Sequence, residues 1–289
     1  VGLGAKRVRT GDGCVMIICR RIMVAFSRNR HKKNVKRLGS VHRSPLLHIN
    51  GVGVQGECSV AMRSFGDLNG FFTPPARGGE PSAMIFILHG WGADGADLAD
   101  LAYPISLRFP GAAFFVPNAP EPCSMNPAGR QWFDIEDRVN GPAKAAPIIE
   151  NALGNAASEF NLPPNAMALT GFSQGGMMSL HCGLHMQGKP GVIVSFSGAL
   201  LVHKTLPKST ESATSGSPSN SSDIAYPPVQ LVHGTEDSVV PFVLMQEAQT
   251  ILEEKGIEVE TVARPGLAHG IDPDGLTAAI DFLARHLPV

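Results

Sequence analysis

The sequence predicts an α/β fold with a mostly parallel central sheet and helices on both faces. Three observations carry that prediction. Six short, continuous apolar runs recur along the chain, each bounded by Gly or Pro. Amphipathic stretches of helical length lie between them. A single Gly-x-Ser-x-Gly falls where one apolar run meets the next helical stretch. Strands that are apolar without alternation are buried on both faces, as in parallel sheets, and strand–helix alternation sets helices above and below them.

The runs are "AMIFILHG" from Ala83, "AAFFVPNAP" from Ala112, "NAMALTGFS" from Asn165, "GVIVSFSGAL" from Gly191, "PPVQLVHGTED" from Pro227 and "IEVETVARPG" from Ile257. The last is the most polar, which puts it near an edge. "ADLADLAYPISLRF" is expected to be a helix after the first strand. "PAKAAPIIENALGNAASEF" precedes the third and "QGGMMSLHCGLHMQ" follows it. "PFVLMQEAQTILEEKG" and "PDGLTAAIDFLARHL" complete the helices. The stretch Lys208–Asp223, rich in Ser, lacks apolar anchors and reads as a flexible surface loop at 208–223.

The net charge of −1 conceals an asymmetry. Residues 1–50 hold twelve of the 24 Lys and Arg and one acid, about +11, which leaves −12 on the rest. Residues 1–78 show no sustained period and end in the linker-like "TPPARGGEP". They are read as a basic, disordered or non-native extension, with a transit peptide or a nucleic-acid-binding arm as lesser alternatives. Residues 79–289 form the folded domain. The five cysteines include no Cys-x-x-Cys pair, so neither a disulfide framework nor a structural zinc site is predicted, and a reducing cytoplasm is the expected setting. No apolar stretch reaches the roughly 20 residues of a membrane span.

Two glycine motifs compete for attention. "GVGVQG" at 51–56 spells a dinucleotide fingerprint, but no good strand precedes it and Gly66 and Gly70 interrupt the helix that should follow. "GFSQGG" at 171–176 follows a strand and opens a helix, as a nucleophile elbow requires. That turn holds a serine at strained dihedrals above the sheet, with glycines where side chains would clash. A serine hydroxyl needs a base, and the base an orienting carboxylate. Asp237 and His269 follow in that order, each just past a strand. Glu236 competes for the acid role, and His203 and His286 for the base. Asp237 also suits a helix N-cap. His181 and His185 stand four apart like metal ligands but lack a third. An oxyanion hole needs backbone N–H donors, which Gln174 and Trp91 in "LHGWGADG" can supply, with the His89 ring holding that loop.

These residues resemble the phospholipase/carboxylesterase family of α/β-hydrolases, which includes acyl-protein thioesterases. The matching blocks are "LHGWGADG", "VPNAPEPCSMNPAGRQWFDI", "TGFSQGG", "SFSGAL", "VHGTEDSVVP" and "GLAHGID", in family order. The resemblance implies an α/β-hydrolase fold without a large lid domain, with Ser173, Asp237 and His269 as the triad and Trp91 and Gln174 as oxyanion donors. It also implies that Gln131, Trp132 and Phe133 line the acyl pocket; plain core packing is the competing reading of Trp132 and Phe133. The implied function is a serine hydrolase of carboxylic esters or thioesters of short to medium acyl chains. Longer-chain lysophospholipase or acyl-protein thioesterase activity is the alternative, and a non-catalytic binding protein the rival. No cofactor or metal is called for. The partner is a small-molecule ester or thioester, not nucleic acid, acted on by a monomer or homodimer.

Overall fold

All six apolar runs become strands of one sheet. In chain order they are β6 (Ala83–Leu88), β7 (Ala112–Pro117), β10 (Met167–Phe172), β11 (Val192–Phe196), β12 (Val229–Gly234) and β13 (Val259–Arg264). The computed structural model describes residues 60–209 and 225–288. It also describes the backbone of three short antiparallel strands, β1 (Arg7–Arg9), β2 (Cys14–Cys19) and β3 (Ile22–Ser27). The "GVGVQG" tract and residues 210–223 of the Ser-rich insertion lie outside the described residues.

Two further strands, β4 (Ala61–Phe65) and β5 (Leu68–Thr73), form a hairpin that pairs antiparallel with β7. The sheet therefore has eight strands in the order β13-β12-β11-β10-β6-β7-β5-β4. This corrects the boundary at residue 79, because the sheet begins at Ala61. Hairpin residues Phe65, Leu68 and Phe72 are buried; the Phe65 ring packs edge-on against Phe115 and Phe160, and the Phe72 ring stacks on Phe160. The Arg63 guanidinium lies over Phe65, Phe72 and Phe160 and pairs with Glu159. Gly66 makes the turn at φ +54°, in the left-handed region that favours glycine.

Alternation along β6 explains how both faces are covered. Ile85 and Ile87 point to the layer of α1 (Ala96–Ala99), α2 (Ala102–Ser106) and α6 (Pro273–His286). Met84, Phe86 and Leu88 point to that of α3 (Gly141–Glu159) and α4 (Gln174–His185). Helix α5 (Val243–Glu254) continues the second layer over β11 and β12. The one helix expected over 96–109 is split into α1 and α2, and Pro104, which has no N–H to donate, lies in the second piece. The edge strand β13 is only partly buried, as its polar sequence implied. A two-stranded ribbon, β8 (Glu121–Pro122) and β9 (Arg130–Gln131), follows β7. The described residues include no lid domain, and none of their helices is long and apolar enough to cross a membrane.

Candidate active site

The carboxyl ends of β10, β12 and β13 bring Ser173, Asp237 and His269 together. Ser173 sits between β10 and α4 at φ +55° and ψ −117°, a conformation few L-residues adopt. The turn is possible because of its glycines. A Cβ on Gly175 would lie 2.0 Å from the Leu88 carbonyl oxygen, and one on Gly171 would lie 2.4 Å from Gly175 backbone atoms. The Ser173 amide donates to the Phe196 carbonyl at 2.8 Å, fixing the elbow against the next strand.

His269 Nε2 lies 3.0 Å from Ser173 Oγ, and His269 Nδ1 lies 2.7 Å from Asp237 Oδ2. The other oxygen of Asp237 accepts from the amides of Val239 and Val240 at 2.9 and 2.8 Å. Asp237 thus caps a turn with one oxygen and faces His269 with the other; it is not the helix N-cap the sequence also allowed, because α5 begins only after Phe242. Burial on its own would push this carboxyl up. The hydrogen bonds from His269, Val240 and Val239 outweigh burial and hold it below the ordinary carboxylate range.

The competing residues are elsewhere. Glu236 is exposed, its amide donating to the Leu267 carbonyl. His286 lies 3.8 Å from Glu258, and His203 lines the cavity without a hydrogen bond to Ser173. His181 and His185 stack ring on ring at 4.5 Å, and no group of three metal-ligating side chains occurs among the described residues.

One neighbour of the acid went unrecognised in the sequence. His233, buried at the end of β12, has Nε2 2.8 Å from the Val240 carbonyl and 3.3 Å from Asp237 Oδ2. Burial lowers its pKa, so it is a neutral donor to the acid loop. Its spacing, four residues before Asp237, was the available signal.

A cavity of about 520 Å³ opens onto Ser173 and His269. Gly90, Trp91 and Gln174 line it beside the serine. Its apolar wall comes from Leu200 and Leu201 after β11, and from Leu244, Ala248 and Ile251, a single face of α5. Gln131, Trp132 and Phe133 do not line it, which corrects their assignment to the pocket. They are 5%, 1% and 3% exposed and form the layer behind the cavity wall. Trp132 packs in the core and its indole donates to the His89 carbonyl at 2.9 Å. The Gln174 side chain accepts from the Trp132 amide at 2.9 Å and donates to the Phe133 carbonyl at 2.7 Å. Gln131 Oε1 accepts from the Trp91 indole at 3.0 Å.

His89 holds its loop as expected. Nε2 accepts from the Ala119 amide at 3.0 Å, so Nδ1 carries the proton toward the Gly90 carbonyl at 2.8 Å. Burial lowers its pKa to about 4, which keeps it neutral.

An eight-stranded sheet of this order, with a strained serine at the strand-to-helix turn, defines an α/β-hydrolase. The model of the phospholipase/carboxylesterase family matches residues 75–287, and the chain belongs to that family of carboxylic ester hydrolases. It is 29% identical to acyl-protein thioesterase 1 of Gibberella zeae over 74% of this chain and 94% of that protein. It is 27% identical to the esterase YpfH of Escherichia coli over 71% of this chain and 83% of that one. The crystal structure of esterase PE8 superposes with a TM-score of 0.67 at 31% identity, covering 76% of this chain and 99% of PE8.

Proposed function

We propose that the chain hydrolyses carboxylic esters or thioesters of short to medium acyl chains through a Ser-His-Asp triad. The observation that carries this reading is the unbroken hydrogen-bonded row from Ser173 Oγ through His269 to Asp237, at 3.0 and 2.7 Å. His269 Nε2 takes the hydroxyl proton as Ser173 Oγ attacks the acyl carbonyl carbon. Asp237 holds Nδ1–H and stabilises the imidazolium that forms. The carbonyl oxygen gains the negative charge and is held by the backbone N–H groups of Trp91 and Gln174. His269 returns its proton to the departing alkoxide or thiolate, leaving an ester on Ser173. Water then repeats the sequence, with His269 as its base, and frees the acid.

The acyl chain would lie along Leu200, Leu201, Leu244 and Ile251, in a cavity of the size that suits a small ligand. No residue of this scheme requires a metal or organic cofactor. We place the reaction in the cytoplasm, carried out by a monomer or homodimer. Replacing Ser173 by Ala should remove more than 99% of p-nitrophenyl butyrate hydrolysis while leaving the melting temperature unchanged. A Ser173→Ala protein that retains full activity would refute the assignment.

A longer-chain reading, lysophospholipase or acyl-protein thioesterase, draws on the named thioesterase relative and on the apolar face that α5 gives the cavity. Rates over p-nitrophenyl esters from acetate to palmitate separate the two by where the maximum falls.

A further inference from the structure

Trp91 and Gln174 lie on separate elements, one in the loop after β6 and the other at the first residue of α4. Their backbones can serve one oxyanion only if the gap between these elements is fixed. Gly90 and Gly92 flank Trp91, so the loop's own backbone supplies little stiffness. Both side chains nevertheless reach the same short tract. The Trp91 indole donates to Gln131 Oε1 at 3.0 Å. The Gln174 amide engages the Trp132 N–H at 2.9 Å and the Phe133 carbonyl at 2.7 Å.

The tract is bound to the loop at further points. The Trp132 indole donates to the His89 carbonyl at 2.9 Å. The Gly92 amide donates to the Arg130 carbonyl at 2.8 Å, and the Arg130 amide to the Ala93 carbonyl at 2.7 Å. Residues 130–133 therefore make four hydrogen bonds to the loop and two to the elbow. Gln174 is 1% exposed and both ends of its amide are satisfied, so its side chain is spent wholly on this link.

We propose that Gln131–Phe133 is a brace that sets the distance between the two oxyanion donors, with the Gln174 side chain as its positioning residue. The inference rests on the proposed hydrolytic reading and gives Gln174 a second task beside its backbone N–H. Donors must meet the developing oxyanion at about 2.7–3.1 Å, and a displacement of about 1 Å can cost on the order of a hundredfold in rate.

Gln174→Met in the full chain keeps the backbone N–H and the side-chain length but removes both amide contacts. Its kcat on p-nitrophenyl butyrate should fall about 10- to 100-fold with KM within about twofold of the parent. Affinity for a trifluoromethyl ketone, whose hemiketal oxygen occupies the hole, should fall by a similar factor. Trp91→Phe deletes only the indole N–H and should show a smaller loss of the same kind; it carries the test if Gln174→Met does not fold. Parent-like kcat and ketone affinity in the folded variants would overturn the brace, as would a loss confined to KM. Fluorophosphonate labelling of the parent separates the two failures. A parent unlabelled at Ser173 sinks the hydrolytic reading and the brace together, whereas a labelled parent with indifferent variants sinks the brace alone.

Discussion

Ser173 and Gln174 stand at the junction of β10 and α4, which are buried almost throughout, whereas His269 stands on a loop beside the half-exposed edge strand β13. On the elbow flank, His89, Trp132 and Gln174 are each 1% exposed or less and tied together through backbone and side-chain hydrogen bonds. On the base flank, the His269 side chain is 17% exposed, and exposed Pro265, Gly266 and Ala268 precede it in the loop. Under the proposed chemistry the division is sensible. The serine and the oxyanion donors must not move while charge develops, and the histidine must exchange protons with an incoming water. Rigidity is placed where charge appears, and solvent access where protons pass.

A pair of glycine substitutions tests this contrast most severely. A methyl group on Gly175 would sit 2.0 Å from the Leu88 carbonyl oxygen and 2.4 Å from its carbon, and neither backbone atom can step aside. Gly175→Ala should cost more than about 4 kcal/mol, seen as a collapse of the melting temperature or failure to fold. Gly266, in the base loop, has φ +71° and open space where a Cβ would go. Gly266→Ala should cost only the backbone preference, about 1 kcal/mol. Equal losses at the two sites would break the comparison.

The elbow flank should also dominate the response to acid. His89 is held neutral by burial, with its pKa lowered from 6.5 to about 4. Between those values the unfolded chain binds a proton there and the folded chain does not. Stability must therefore fall as pH drops from about 6.5 to about 4, by on the order of 3 kcal/mol for this group at the lower limit. His181, also lowered to about 4 by burial, adds to the slope. Urea unfolding across this range should lose about one proton's worth of slope in His89→Asn. An unchanged slope would show that the ring is not the group being charged.

The elbow was legible in the sequence because its chemistry is local: a strand, a turn needing small residues, and a helix, all within Met167–His185. Asp237 and His269 were legible because strand ends order them along the chain. The hairpin β4–β5 was not. Its strands are five and six residues long, one is largely exposed, and Gly66 and Gly70 look like breaks rather than parts of a turn and strand. Gln131, Trp132 and Phe133 were misassigned for a different reason. Sequence marks them as destined for burial but cannot tell the cavity face of a wall from the face behind it. The Gln174 amide and His233 were missed because a polar side chain in an apolar context finds its partner only in three dimensions.

The smallest effect should come from the base flank's own fastening. Arg264, at the end of β13, grips Asp272 with Nε 3.0 Å from both carboxylate oxygens and Nη2 2.8 Å from one, and reaches Asp274 at 2.6 Å. The pair closes the 265–271 loop that carries His269, and Asp272 Oδ1 also caps α6 through the Gly275 amide at 2.8 Å. Asp274 is largely exposed, so water and salt weaken that arm, while the forked contact to Asp272 retains its geometry. Arg264→Met should cost about 1 kcal/mol or less, because Asp272 keeps its cap. The rate should fall a few-fold as His269 loses its set orientation, and the variant's rate should depend less on added salt than the parent's. Arg264→Lys should restore charge but only part of the rate, since an ammonium cannot reproduce the planar fork. If Arg264→Met instead matched Gly175→Ala in its cost, the two flanks would be equally rigid, and the solvent-facing base loop would need another explanation.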